Sequence, residues 1–212
     1  MKKITAITWA LLTCLPTVSQ VISGVYSTRV ATWFGIDFTK AKMIGDFGND
    51  MSPEVLRDSY YKAWNNLLVV EKEKYNLPLF FHKQSVPYSL ERVAELNSAV
   101  EPDSIMLPEF SHVPLFNRPM LEEIASKYTQ ESEKGVGVLM VVEAFDKSKE
   151  VAILDFVFFD IATGRVYFTR RFSEKPHGAG LRNYWAKTLL LALEDTSSNW
   201  ENWKNEEKKK GK

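Results

Sequence analysis

Two acids and an arginine fall where a β-hairpin would bring them onto one face. If the strands Val151–Phe159 and Arg165–Phe172 close on a short loop, Asp160 faces Arg165, Val157 faces Phe168 and Asp155 faces Arg170. Glu143, on the strand before, then lies close to diagonal from Asp155. Burial raises a carboxyl pKa and a neighbouring arginine lowers it, so Asp155 and Glu143 are candidates for an acid–base pair, with Arg170 beside them. The competing reading is a cross-strand ion pair that fixes register, because a one-residue slip would strand the charges. The second reading is favoured.

The segment Lys175-Pro176-His177-Gly178-Ala179-Gly180-Leu181-Arg182-Asn183 leads from a strand into a helix. Glycines there let backbone N–H groups approach an anion at the positive end of the helix, and His177, Arg182 and Asn183 add donors. His177, Gly178, Gly180, Arg182 and Asn183 are therefore the candidate anion- or ligand-binding residues. The spacing matches neither a P-loop nor a dinucleotide fingerprint. Trp200 and Trp203, one helical turn apart next to a charged tail, are the candidate exposed pair for a partner surface. His82, His112 and His177 are far apart and in no metal-ligand spacing, so no metal site is expected. No GxSxG elbow is present, and the Asp46-Phe47-Gly48 triplet has nothing around it that a kinase needs. No cofactor motif is found.

These residues need elements to position them. Val30–Ile44 reads as a strand region with a bulge at Gly35. Ser52-Pro53-Glu54 is a helix start, and Leu56, Tyr60, Ala63, Trp64, Leu67 and Leu68 fall on one face of a helix reaching about Tyr75. From Leu77 to Asn117 five prolines interrupt the chain, with one helix over Ser89–Val100. Aromatic residues in that stretch imply that it packs on the body. A short helix follows at Pro119–Tyr128. Val136–Phe145, Val151–Phe159 and Arg165–Phe172 form a three-stranded meander, since connections this short force antiparallel pairing. A last helix carries Leu181, Tyr184, Trp185, Thr188, Leu189 and Ala192 as its buried stripe. The expected fold class is α+β: an antiparallel sheet, the C-terminal meander plus an N-terminal strand, packed with three to four helices. The expected organisation is a signal peptide over 1–19, one domain over 25–196, and a polar tail over 197–212.

The chain has 212 residues, 45% hydrophobic and 25% charged, with 27 basic and 27 acidic side chains. That suffices for a core and excludes disorder, while the balanced charge gives no field to draw nucleic acid. A single cysteine, Cys14, excludes a disulfide framework. Lys2 and Lys3 followed by the apolar run Ile4–Leu15 and Pro16 read as a secretory signal, too short for the roughly 20 residues a bilayer span needs. Small residues at Thr17 and Ser19 point to cleavage before Gln20. Leu11-Leu12-Thr13-Cys14 offers the alternative of lipid anchoring at Cys14, with Thr13 departing from the usual small residue. No later segment resembles a transmembrane span. The expected location is the periplasm or the extracellular space, and the sequence sets no oligomeric state.

The run FFDIATGRVYFTRRF followed by HGAGLRNYWAK resembles a family of small exported proteins of unknown function from Bacteroidetes-type bacteria. The resemblance covers about the last third of the chain, and more loosely the helix after Ser52. At fold level alone the strand–turn–strand–helix order is similar to the N-terminal domain of TolB-like envelope proteins. It implies an envelope location and carries over no catalytic residue. Together these observations favour a non-enzymatic envelope accessory or binding protein that contacts a protein or cell-wall component. The alternatives are a small envelope hydrolase using the carboxylate pair and a soluble ligand carrier.

Overall fold

The computed structural model describes residues 24–210. The expected signal peptide, its expected cleavage site and Cys14 lie outside those residues. Six strands form one sheet: β1 (Thr32–Asp37), β2 (Lys42–Ile44), β3 (Met106–Leu107), β4 (Val136–Asp146), β5 (Val151–Asp160) and β6 (Val166–Glu174). Their order is β3-β2-β4-β5-β6, with β1 also on β4.

The sheet is mixed, which corrects the expectation of an antiparallel one. The meander β4-β5-β6 is antiparallel as expected. β1 and β2, however, run parallel to β4, lying end to end along the edge opposite β5 at Gly137–Val141 and Ala144–Asp146. β3 in turn runs parallel to β2. Parallel neighbours need a long crossover, and the chain between β2 and β4 supplies it, holding most of the helices.

Helix α1 spans 53–70 in three continuous pieces, Pro53–Val55, a π-helical turn Leu56–Tyr60, and Tyr61–Val70. Ser52 caps it by accepting from the Val55 N–H, with Pro53 in the first turn. It stops at Val70, short of the expected Tyr75, because Glu71 leaves the helical region. Two short helices follow, α2 (Leu77–Phe80) and α3 (Glu91–Ser98), then α4 (Arg118–Ser126), capped by Asn117. The last, α5, runs over Leu181–Lys210, 30 residues.

Helices cover both faces. Alternate residues of β4 divide between two cores: Val138, Met140 and Val142 join Trp64, Trp185 and Leu189 on the α1/α5 side, while Leu139 and Val141 join Leu121, Ile124 and Val93 on the α3/α4 side. The expected bulge in β1 is present. Register shifts between Trp33 and Ile36, and Gly35 has φ 102°. The outer edge of β1 is closed partly by the proline-rich stretch, where the Trp33 N–H donates to Pro87 O at 2.8 Å. Further along, two asparagine amides replace a strand. Ile36 N–H donates to Asn65 Oδ1 (2.7 Å), Phe38 N–H donates to Asn97 Oδ1 (2.8 Å), and both amides donate to Ile36 O.

The described part of the region expected as a polar tail, 197–210, is almost half of α5. Thr196, Trp200, Trp203 and Glu207 continue the helical spacing of Trp185, Leu189 and Leu193. Their side chains pack inward while the Glu and Lys residues between them face water.

Candidate functional site

Three places hold the residues singled out above. In the first, a bulge decides the partners. The β5–β6 register shifts between Phe158 and Phe159, so that Asp155 lies opposite Arg171 and Arg170 lies opposite Phe156. Arg170 therefore points to the other side of the sheet. Its guanidinium sits 4.9 Å from both the Phe168 and Trp203 rings and 3.9 Å from Glu207. The pairing of Asp155 with Arg170 is thus corrected to Asp155 with Arg171, at 3.1 Å.

Glu143 does join Asp155. A second shift, between Val142 and Ala144, sets Glu143 on the α4 side of the sheet, where Arg171 also ion-pairs with it. Both carboxyls are 1% exposed. The remaining partner comes from the chain between β3 and α4. Phe116 N–H donates to Glu143 Oε2 at 2.6 Å, and Arg171 Nη2 donates to Phe116 O at 2.5 Å. Burial, reinforced by a hydrogen bond and repulsion from Asp155, pushes the Glu143 carboxyl up to about 8. The set is a network of two buried carboxyls, one partly exposed guanidinium and the two peptide groups that flank Phe116. Neither of the two hollows described below is lined by Glu143, Asp155 or Arg171, and the two carboxyls are shut off from solvent.

The second place is open. The β6–α5 loop and the first turns of α5 bring His177, Gly178, Arg182 and Asn183 against the end of α1 and the turn after it. Between them is a cleft of about 450 Å³, which also takes Leu67, Glu71, Lys74, Tyr75, Ala186 and Lys187. Gly178 and Gly180 have φ 124° and 78°, as the turn into the helix requires. Gly180 is not in the lining; its carbonyl accepts the Tyr184 N–H as the first helical bond. The two sides are tied together, since Trp64 Nε1 donates to Arg182 O at 2.9 Å and Tyr75 OH to Ala186 O at 3.4 Å.

Lys74, Arg182 and Lys187 bring positive charge to this cleft against Glu71, which engages Lys74 at 3.3 Å. The N-terminus of the 30-residue α5 adds the positive end of its dipole. No serine, threonine or cysteine lines it. The chemistry available is recognition of an anionic group by charge and hydrogen bonding. Sequence reasoning missed Glu71, Lys74 and Lys187. Lys187 was accessible, being one helical turn beyond Asn183; Glu71 and Lys74 arrive only through the docking of α1 on α5.

A larger hollow, about 560 Å³, lies between α1 and α3 and includes residues of the π-helical turn. Its deep polar groups, Asn65 and Asn97, are spent on the β1 backbone. What remains is Tyr61, Ala63, Leu90, Val93 and Ala94, with Arg57, already paired to Asp58, among the polar lining.

The third place is the tryptophan pair. Trp200, expected to be exposed, is 1% exposed and stands edge-on to Tyr26 with centroids 5.1 Å apart. His82 stacks on it at 5.8 Å, and the Lys83 ammonium lies 4.8 Å from its centre. Trp203 is half-buried against Arg170 and Phe172. The pair is packing, and Trp200 offers no surface to a partner. His112 is exposed on the strand-free chain before α4.

Among the described residues no group of three or more His, Cys, Asp or Glu side chains is placed to hold a metal ion, and no helix is long and apolar enough to cross a membrane. Compared with known proteins, the chain matches no protein-family model and no curated protein.

Proposed function

We propose that this is an exported, non-enzymatic binding protein of the cell envelope, which takes an anionic group of a cell-wall component or partner protein into the cleft at the start of α5. The observation that carries this reading is the convergence of Lys74, Arg182 and Lys187, with His177, on one open cleft at a helix N-terminus. The anion would be held by charge-assisted hydrogen bonds, and Asn183 and the backbone at Gly178 would set its orientation. The export signal and the resemblance in the last third of the chain support the envelope setting.

The test is co-sedimentation of the purified protein with insoluble peptidoglycan sacculi and, separately, titration with inorganic phosphate. The wild type is expected to bind in 50 mM salt and to weaken as salt rises, because the contact is electrostatic. The double variant Arg182→Glu/Lys187→Glu is expected to lose about tenfold or more in affinity, the effect of two reversed charges at ~1.4 kcal/mol or more in total. Equal binding by the variant and the wild type would sink the assignment of this cleft.

A soluble ligand carrier is the second reading, and the hollow between α1 and α3 favours it. Enlarging Ala94 to Trp in that hollow is expected to leave sacculus binding unchanged if the α5 cleft is the site. Lost binding in a folded Ala94→Trp protein would move the site to the hollow.

A further inference from the structure

The chain from Pro108 to Asn117 crosses the α4 side of the molecule without regular structure. It carries Phe110 and Leu115, 70% and 53% exposed, and Phe110 stands at φ 56°, a strained value for a bulky side chain. Phe116 is its anchor at 6% exposed, with one peptide group on each side in a charged contact: its N–H on Glu143 and its C=O on Arg171. Beneath that anchor two carboxyls with almost no solvent face a single guanidinium, whose own side chain is 33% exposed. Two ionised carboxylates and one arginine would leave a net negative charge buried there, and sharing one proton between the carboxyls removes it.

We propose that Glu143, Asp155 and Arg171 form a proton-operated clamp on the 108–117 strap: one shared proton keeps it shut over the buried carboxyls, and loss of that proton opens it. The Phe116 N–H by itself favours the ionised form of Glu143. Opening is therefore driven by the cost of desolvating a second carboxylate and by its repulsion from Asp155. Water can relieve both only when the strap lifts. Cations on the neighbouring elements are engaged elsewhere. Lys42 of β2, next to Glu143 in register, sends its ammonium to Ser104 O, and Arg118 of α4 is engaged by Glu122 and by Val166 O.

The pH direction follows from the folded and unfolded carboxyls. Glu143 ordinarily titrates near 4.5 and is raised to about 8 in the fold, so the folded state binds more protons between those values. Its contribution is complete below pH 4.5 and is lost as pH climbs to about 8. Beyond that the clamp holds an unshared charge.

Hydrogen–deuterium exchange of strap peptides at pH 7 and 9.5, corrected for intrinsic rates, tests this. In the wild type, strap protection is expected to fall by about tenfold or more at the higher pH while β4 and β5 stay protected. In Glu143→Gln, which keeps the shape without the charge, strap protection is expected to be the same at both pH values. A wild-type strap indifferent to pH, or a Glu143→Gln strap that opens as the wild type does, would overturn the clamp. If Glu143→Gln does not fold, the Phe116 amide of the wild type followed by NMR over the same range decides it, with a single inflection near pH 8 expected and a featureless titration contrary.

Discussion

Replacing Trp200 with alanine is expected to destabilise the protein by about 3–5 kcal/mol, the range for truncating a buried tryptophan. For a chain of this size that lowers the melting temperature by on the order of 10 °C. The indole is 1% exposed and touches Tyr26, Phe81, His82 and Phe158, so its removal opens a void where α5, the residues before β1 and the sheet meet. Lys83 is exposed to that void. Its ammonium donates to Val25 O and Thr28 O at 2.6 and 3.1 Å, closing the end of the helical turn at 24–27. Burial, then the nearby Lys204, holds Lys83 down at about 8. The unfolded chain therefore binds more protons than the folded one between about pH 8 and 10.5, and Lys83 makes wild-type stability rise with pH across that window. In Trp200→Ala, water reaching the ammonium flattens this rise. Trp203→Ala, which removes a half-buried ring from Arg170, is expected to cost only about 1 kcal/mol. Thermal unfolding of both variants at pH 7.5 and 9.5 measures these differences. A Trp200→Ala cost no larger than that of Trp203→Ala would mean that the end of α5 is not docked as described.

Gly35→Ala is expected to be the other severe substitution, at about 3–5 kcal/mol when backbone strain and overpacking are combined. At φ 102° the residue has a conformation that side chains rarely adopt. A Cβ there would lie 2.6 Å from Val93 Cγ1, 2.7 Å from Asn65 Oδ1 and 3.2 Å from Leu90 Cδ2. Val93 belongs to α3 and Asn65 to α1, so relieving the overlap pushes two helices off β1. It also disturbs the Asn65 amide that closes the β1 edge. Gly48→Ala isolates the first contribution, since Gly48 has φ 101° but nothing within 4 Å of its Cβ position. Its expected cost is about 1–2 kcal/mol, from backbone conformation alone. Urea unfolding of the two variants separates strain from packing. Equal costs would show that α1 and α3 do not rest on Gly35.

Local signals were readable wherever neighbours in sequence are also neighbours in space. Ser52-Pro53 starts the helix it was expected to start, and the helix expected from Pro119 begins one residue earlier, at Arg118. The short connections after Asp146 and Asp160 forced the meander, and a glycine among strand residues marked the bulge in β1. His177, Gly178, Arg182 and Asn183 were legible as a group because a single loop-to-helix junction holds them. Trp200 was misplaced because the polar residues around it hid a buried stripe that continues, at helical spacing, through Trp203 and Glu207.

By itself, then, the sequence determined most of the longer elements, the Ser52 cap, the three-stranded meander and the loop that edges the cleft, because each rests on interactions spanning a few residues. The tertiary structure alone decided that β1 and β2 run parallel to β4, since a strand's alternation is the same whichever way its neighbour runs and the joining chain was long enough for either. It also decided that Arg171, and not Arg170, meets Asp155. A single extra residue in β6 turns every later side chain to the opposite face, and only the packing of both faces against helices selects where that residue is accommodated. The opposite wall of the cleft, Glu71 and Lys74, was beyond local reach for the same reason: about a hundred residues separate it from α5, and the burial of Trp64 and Trp185 in one core is what brings the two together.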